Sequence, residues 1–303
     1  MGKLDIWKTK VGKAGDAHFT DAKDGDIIVP VMGPTGVGKS SFINSYLGQE
    51  KAQVGHDLKS CTATLQPFLD DLPPDESGKH RRLVLVDTPG FDDTNEADSE
   101  ILRRIAVWLA SSYGPKKTCG GLIYLHDMTD ARMRGTTLQN LKVFQRLCGK
   151  KNLGAVVFGT TKSGKLTPET FAKRENQLSD VYWKDFKKQG AIVFKLLPSR
   201  ESARQLVQTV LGRVQADERV LRIQEELVEL AKTLPATEAG KELKYTLEEI
   251  LEHQKRALDG DHLTEEQIAA HKQKIATIAP QIKQMTAKFS FSQFFLKMFG
   301  LGG

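Results

Sequence analysis

The chain has 303 residues, 39% of them hydrophobic and 27% charged, with a formal net charge of +6. That length exceeds a usual single domain and predicts one large domain with an appendage. The composition excludes collagen-like and wholly disordered chains, and no apolar run approaches the ~18 residues of a membrane-spanning helix.

The opening Met1-Gly2-Lys3-Leu4-Asp5-Ile6 holds no apolar signal segment. It places Ile6 where a myristoylation site wants Ser or Thr. Residues 1–25 are polar and read as an N-terminal arm. Residues 26–212 then alternate short apolar runs with helical patterns. Ile27–Met32, Thr64–Leu69, Arg82–Asp87, Gly121–His126, Ala155–Thr160 and Ala191–Leu196 are predicted strands. Ser40–Leu47, Ser99–Ser111, Thr136–Cys148 and Pro168–Val181 are predicted helices. Such alternation predicts an α/β domain with a mostly parallel, six-stranded sheet flanked by helices.

From about Glu201 the strand signals stop. Leu206, Val207, Val210, Leu211 and Val214 form a helical stripe, continued through Val220, Leu221, Leu227 and Leu230 to Pro235. Thr237 opens a second helix, for which Gly260 is a stop signal. Thr264-Glu265-Glu266-Gln267 fits a capping box that opens a third. Residues 213–303 are therefore expected to be a C-terminal α-helical extension.

The strand Ile27–Met32 runs directly into Gly33-Pro34-Thr35-Gly36-Val37-Gly38-Lys39-Ser40 and a helix. Strand, GxxxxGKS loop and helix together are the context a phosphate loop demands. Its glycines let backbone amides wrap a phosphate chain, and the helix N-terminus adds a positive dipole end. Gly33, Thr35, Gly36, Val37, Gly38, Lys39, Ser40 and Ser41 are the expected contacts. Lys39 is expected to bridge the β- and γ-phosphates, and Ser40 to ligate Mg²⁺. The strand Leu83–Val86 ends in Asp87-Thr88-Pro89-Gly90. Asp87 can hold the metal through a water, and the Gly90 amide can sense a γ-phosphate. Between them lies Lys59-Ser60-Cys61-Thr62-Ala63-Thr64, where Thr62, with Thr64 as runner-up, is expected to supply one more hydroxyl to the metal.

Gly33–Ser40, Ser60-Cys61-Thr62 and Asp87-Thr88-Pro89-Gly90-Phe91-Asp92-Asp93-Thr94 resemble the septin, immune-associated and chloroplast-import-receptor branch of translation-factor-related P-loop GTPases. Tyr124–Met133 resembles a group of fungal G-domain proteins near that branch. The resemblance covers roughly residues 25–200. It implies a GTPase fold with nucleotide-dependent switches around Thr62 and Gly90, Mg²⁺ as cofactor, and a homodimer formed across the nucleotide face.

Two departures from the pattern matter. The usual guanine-reading Asn/Thr-Lys-x-Asp stands here as Thr161-Lys162-Ser163-Gly164. A carboxylate at the last position accepts from guanine; each hydrogen bond to a charged group is worth roughly 1.5–3 kcal/mol. Gly164 therefore predicts a relaxed base preference, with ATP/ADP as candidates beside GTP/GDP. Thr161 and Lys162 remain as base-side residues, and a backbone carbonyl near Ser163 or Ser199 can accept from an adenine amino group. Second, Phe91 follows Gly90 where many relatives place a glutamine that orients water. This predicts slow intrinsic turnover, assisted by a main-chain carbonyl or by a group from a partner subunit. His126, Arg132 and Arg134 follow the fourth core strand, and Arg132 is the chosen candidate.

Phe289, Phe291, Phe294, Phe295, Leu296, Met298 and Phe299 sit among Lys288 and Lys297. Such a tail fits an interfacial membrane contact or a docking helix. Cys61, Cys119 and Cys148 have no close spacing, so neither a disulfide ladder nor a zinc pattern is expected. The compartment expected is cytoplasmic, with a peripheral membrane association as an option. Nothing points to sequence-specific nucleic-acid readout. The function expected is a Mg²⁺-dependent nucleoside triphosphate-hydrolysing switch. The alternative is a septin-like nucleotide-gated scaffold with little turnover. A kinase using the same loop is disfavoured, because Gly90 and an upstream Thr62 suit γ-phosphate sensing.

Overall fold

A computed structural model describes residues 25–52, 54, 65–74, 78, 80–90, 98–111, 118–133, 135–213, 221–226, 236–258 and 264–286. Thr62, Thr64, Phe91, Arg134, Gly260, the arm up to residue 24 and the aromatic tail lie outside these residues.

Among the described residues, seven strands form one sheet: β1 (Ile27–Met32), β2 (Gln66–Asp71), β3 (Arg82–Asp87), β4 (Thr118–Cys119), β5 (Leu122–Asp127), β6 (Val156–Thr161) and β7 (Ile192–Lys195). The order is β2-β3-β1-β5-β6-β7, with the two-residue β4 paired to β1. β2 runs antiparallel to β3, and every other pairing is parallel. The six expected strands are present. The seventh, β4, is too short to leave a period-two pattern in the sequence. β2 starts later than expected, at Gln66.

The α-helices of five or more residues among those described are α1 (Lys39–Leu47), α2 (Asp98–Ser111), α3 (Gly135–Cys148), α4 (Pro168–Gln177), α5 (Lys184–Lys188), α6 (Arg200–Leu211), α7 (Glu238–Leu258) and α8 (Glu265–Thr286). The expected helix Pro168–Val181 is divided: α4 gives way to a π-helical turn at Leu178–Tyr182. Thr167 caps α4, accepting from the Thr170 amide, with Pro168 at the first helical position where no amide is needed. The stripe read as one continuous helix past Val214 is also divided, because α6 ends at Leu211 and Leu221 is extended. Thr264 and Gln267 make the capping box expected at the start of α8, with bonds of 2.9 and 3.2 Å.

Every residue of β1, β5 and β6 is buried. A doubly covered parallel strand is buried on both faces, which explains the unbroken apolar runs. Alternate residues serve opposite faces. Val29, Val31, Leu83, Leu85, Ile123 and Leu125 pack with Phe42 and Ile43 of α1 and Leu206 and Val210 of α6. Ile28, Met32, Val84, Val86, Tyr124 and Phe158 pack with Ile101 and Ile105 of α2 and Leu141 and Phe144 of α3. The helical extension joins this second core through Leu221, Ile223, Ala239, Leu243, Leu247 and Ile278. Gln224 fastens it to α2 by donating to the Leu109 carbonyl at 2.9 Å.

Candidate nucleotide-binding site

The register sets the site. Val31 pairs with Asp87, so the C-terminal ends of β1 and β3 lie side by side, and Val31 also pairs with Ile123, so the neighbouring β5 runs on past them to Asp127. In an open α/β sheet that edge is where ligands bind. Thr88 closes the gap by donating to the Val31 carbonyl at 2.8 Å, tying the end of β3 to the end of β1. Sequence reasoning assigned Thr88 no role; its burial beside the phosphate loop is a tertiary fact.

The loop from Gly33 to Gly38 has the backbone that only glycine adopts easily. Gly33, Gly36 and Gly38 have φ of 140°, 79° and 97°. At Gly33 space is also decisive, since a Cβ would lie 2.4 Å from the Leu125 carbonyl oxygen. Around Gly36 and Gly38 nothing stands within 4 Å of a Cβ, leaving an open concavity on the ligand side. Lys39 is buried and its Nζ donates to the Gly33 and Pro34 carbonyls, each at 3.0 Å. Its ammonium is thereby folded over the loop. Thr35 and Ser41 are exposed and Val37 is buried.

Ser40 donates to Asp87 Oδ2 at 2.6 Å, joining the two residues expected to serve a metal. Mg²⁺ keeps several waters and takes few protein ligands, often beside substrate phosphates. One hydroxyl and one carboxylate at the mouth of a phosphate loop fit that ion. Gly90 comes close as well: a Cβ there would lie 2.5 Å from both the amide nitrogen and the Oγ1 of Thr35. The Asp87–Gly90 turn therefore rests on the phosphate loop.

The base-side residues sit at the end of β6. Thr161 Oγ1 donates to the Val37 carbonyl at 2.9 Å and lies 3.2 Å from the His126 carbonyl. Lys162 is the only described non-glycine residue with positive φ, at 55°. Its Nζ reaches the Gly36 carbonyl at 2.9 Å and Asp127 Oδ2 at 2.5 Å. Burial alone would raise the Asp127 pKa. The bonds from Lys162 and from Thr129 outweigh it and hold the carboxyl below its usual value. Asp127 is a site residue the sequence reading passed over. Its position at the end of β5, beside the Lys162 strand, was the available signal.

Gly164 is exposed, and no atom stands within 4 Å of a Cβ placed there. Ser199 stands at the start of α6. It caps α6, its side chain accepting from Ser202 at 3.2 Å and its carbonyl from Ala203 at 3.1 Å. Arg132 is exposed in the loop after β5. His126 is buried and packs edge-on against Trp183.

These elements define an α/β domain of the P-loop class. Residues 28–144 match the family model described as 50S ribosome-binding GTPase. GTPase Der of Clostridium novyi is 28% identical over 119 residues, which is 39% of this chain and 26% of Der. The chain thus spans about a quarter of that relative's length. Toc33 of Arabidopsis thaliana, solved with GDP and Mg²⁺, superposes with a TM-score of 0.50 at 18% identity, covering 66% of this chain and 88% of Toc33. Toc33 with Mg²⁺ and GMPPNP gives 0.49 at 18%, covering 72% and 93%. The domain has the fold of a P-loop G domain, with a helical region following it.

Proposed function

We propose that this chain binds a purine nucleoside triphosphate with Mg²⁺, hydrolyses its γ-phosphate slowly and uses the change as a conformational switch. The observation that carries this reading is the meeting of Ser40 with Asp87 at 2.6 Å, beneath a turn whose Gly90 rests on Thr35. Loss of a γ-phosphate would be felt where two loops already touch.

Gly33 to Ser41 would hold the phosphates through backbone amides, with Lys39 turned from the Gly33 and Pro34 carbonyls toward the β- and γ-oxygens. Ser40 and Asp87, with Thr62, would hold the metal, whose charge offsets that of the phosphates when bound. Chemistry would be in-line attack by water, with loop amides and Lys39 stabilising the developing charge. Gly164 carries no side chain to select guanine, so GTP and ATP are both candidates.

Binding of labelled GTP and ATP, with Mg²⁺ and with the metal chelated, tests this. Affinity that depends on Mg²⁺ and falls about 100-fold or more in Lys39→Ala is the expected result. A GTP preference of about a thousand-fold would defeat the relaxed-base part of the reading. No uptake of either nucleotide would defeat all of it.

Phe91 lacks a side-chain amide, which supports slow turnover and also a scaffold whose bound nucleotide cements an interface. Single-turnover hydrolysis, with molecular size measured in each nucleotide state, separates the two. Arg132 is proposed to act across a homodimer, because it is exposed beside the nucleotide edge. Arg132→Ala would then abolish any acceleration seen at high protein concentration. Residues 288–299 are proposed to meet a membrane surface from the cytoplasmic side. Co-sedimentation with anionic vesicles, lost on truncation to residues 1–285, is the check.

A further inference from the structure

Beside the nucleotide site, and sharing none of the phosphate-loop residues, lies a pocket of about 280 Å³. Its wall is the loop after β5 on one side and α4 with its π-helical turn on the other. His126, Arg132, Arg174, Gln177 and Tyr182 supply its polar groups, and Asp130 is its single carboxylate. Met128, Met133 and Leu178 give it an apolar floor.

His126 is 4% exposed, its ring held edge-on against Trp183 with centroids 5.7 Å apart. Arg174 spends Nη1 on the Met128 carbonyl at 2.5 Å, which fixes the guanidinium in the wall. That fork carries five N–H donors and no acceptor, so one such bond leaves donors for a ligand. Leu178–Tyr182 is a π-helical turn, a geometry often found at functional sites.

Donors therefore dominate. Two guanidinium groups, a phenol, an amide and an imidazole face one carboxylate. Planar guanidinium forks match carboxylate and phosphate oxygens. The floor of methionine and leucine suits a compact apolar body.

We propose that this pocket is a binding site for a small anionic molecule, a carboxylate or phosphate carried on a compact apolar group. Arg174 and His126 receive the anion, and the apolar body lies on Met128, Met133 and Leu178. The site adjoins the nucleotide site through His126–Met128. The carbonyl of His126 and the amide of Met128 both meet Thr161, and Asp127 between them holds Lys162. A ligand here would press on the base-side loop.

The test is calorimetric titration of the full chain, held with GDP and Mg²⁺, against benzoate, phenyl phosphate and neutral benzyl alcohol. At least one of the two anions should saturate at millimolar concentration and bind at least about tenfold tighter than the alcohol. Whichever anion binds more tightly identifies the headgroup. Arg174→Gln should weaken that anion about tenfold. Ala131→Phe, placed on the exposed rim to fill the pocket, should do the same without removing a polar group. Nucleotide affinity in both variants reports that the fold is intact. If neither anion saturates by about 10 mM, the proposal is overturned. Equal binding of the alcohol overturns it too, since the pocket is then only an apolar hollow. So does unchanged anion binding in both variants. Loss of self-association in Ala131→Phe, with no anion bound to the parent chain, assigns the pocket to a protein contact instead.

Discussion

Lys162 holds two parts of the site at once, its Nζ donating to the Gly36 carbonyl at 2.9 Å and to Asp127 Oδ2 at 2.5 Å. One ammonium thus bolts the base-side loop to the phosphate loop and to the end of β5. The residue sits in the left-handed region at φ 55°, a conformation that costs a non-glycine residue free energy and persists only where surroundings enforce it. The ion pair and the Gly36 bond are those surroundings.

Asp127→Asn should loosen this bolt without touching phosphate contacts. The pair is partly in solvent, with Lys162 at 35% and Asp127 at 12% side-chain exposure, so its worth is discounted toward ~1 kcal/mol. Affinity for GDP and ADP should fall together by about fivefold. A competition assay against a labelled diphosphate measures it, and a loss confined to one base would count against a positioning role.

Gly164→Asp is expected to be well tolerated, because the space around it is open. A carboxylate there restores the acceptor that guanine uses. The ratio of GTP to ATP affinity should rise about 10–100-fold, the worth of a hydrogen bond to a charged group. Parallel titrations of the two nucleotides check the ratio directly.

Gly90→Ala places a methyl group 2.5 Å from the backbone of Thr35. The turn must then move off the phosphate loop. Triphosphate affinity should fall about tenfold while diphosphate affinity holds, if the Gly90 amide serves the γ-phosphate. Equal loss for both would mean that the methyl group deforms the whole loop.

His126 makes stability depend on pH. Burial lowers its pKa, and the nearby Asp130 and Asp127 only partly oppose that. The unfolded chain, titrating near 6.5, takes up a proton that the folded chain resists. Folding stability therefore rises with pH through this window and drops as pH falls below about 6.5, by at most about 1.4 kcal/mol per pH unit. His126→Phe should remove that slope. Urea unfolding at about pH 5.5 and about pH 7.5, for both chains, shows whether it does.

The phosphate side was legible because its chemistry is local. Gly33 to Ser40 is one unbroken stretch, and Asp87 to Gly90 is another. Doubly buried strands also announce themselves as apolar runs, which is why six strands could be read directly. The short β4 and the division of the helix after Gln177 could not. Two residues carry no periodicity, and π-helical geometry differs from α by only one residue in its hydrogen bonds.

By itself, the order of residues determined the class of fold and the glycine loop between β1 and α1, since spacing along one chain dictates both. Tertiary structure decided the rest. Asp127 and Lys162 are 35 positions apart, and Gln224 and the Leu109 carbonyl 115, so no local pattern could join them. Sheet register brought the first pair together, and burial of apolar helix faces the second. The pocket around His126 likewise exists only where a strand end, a loop and a π-helical turn converge.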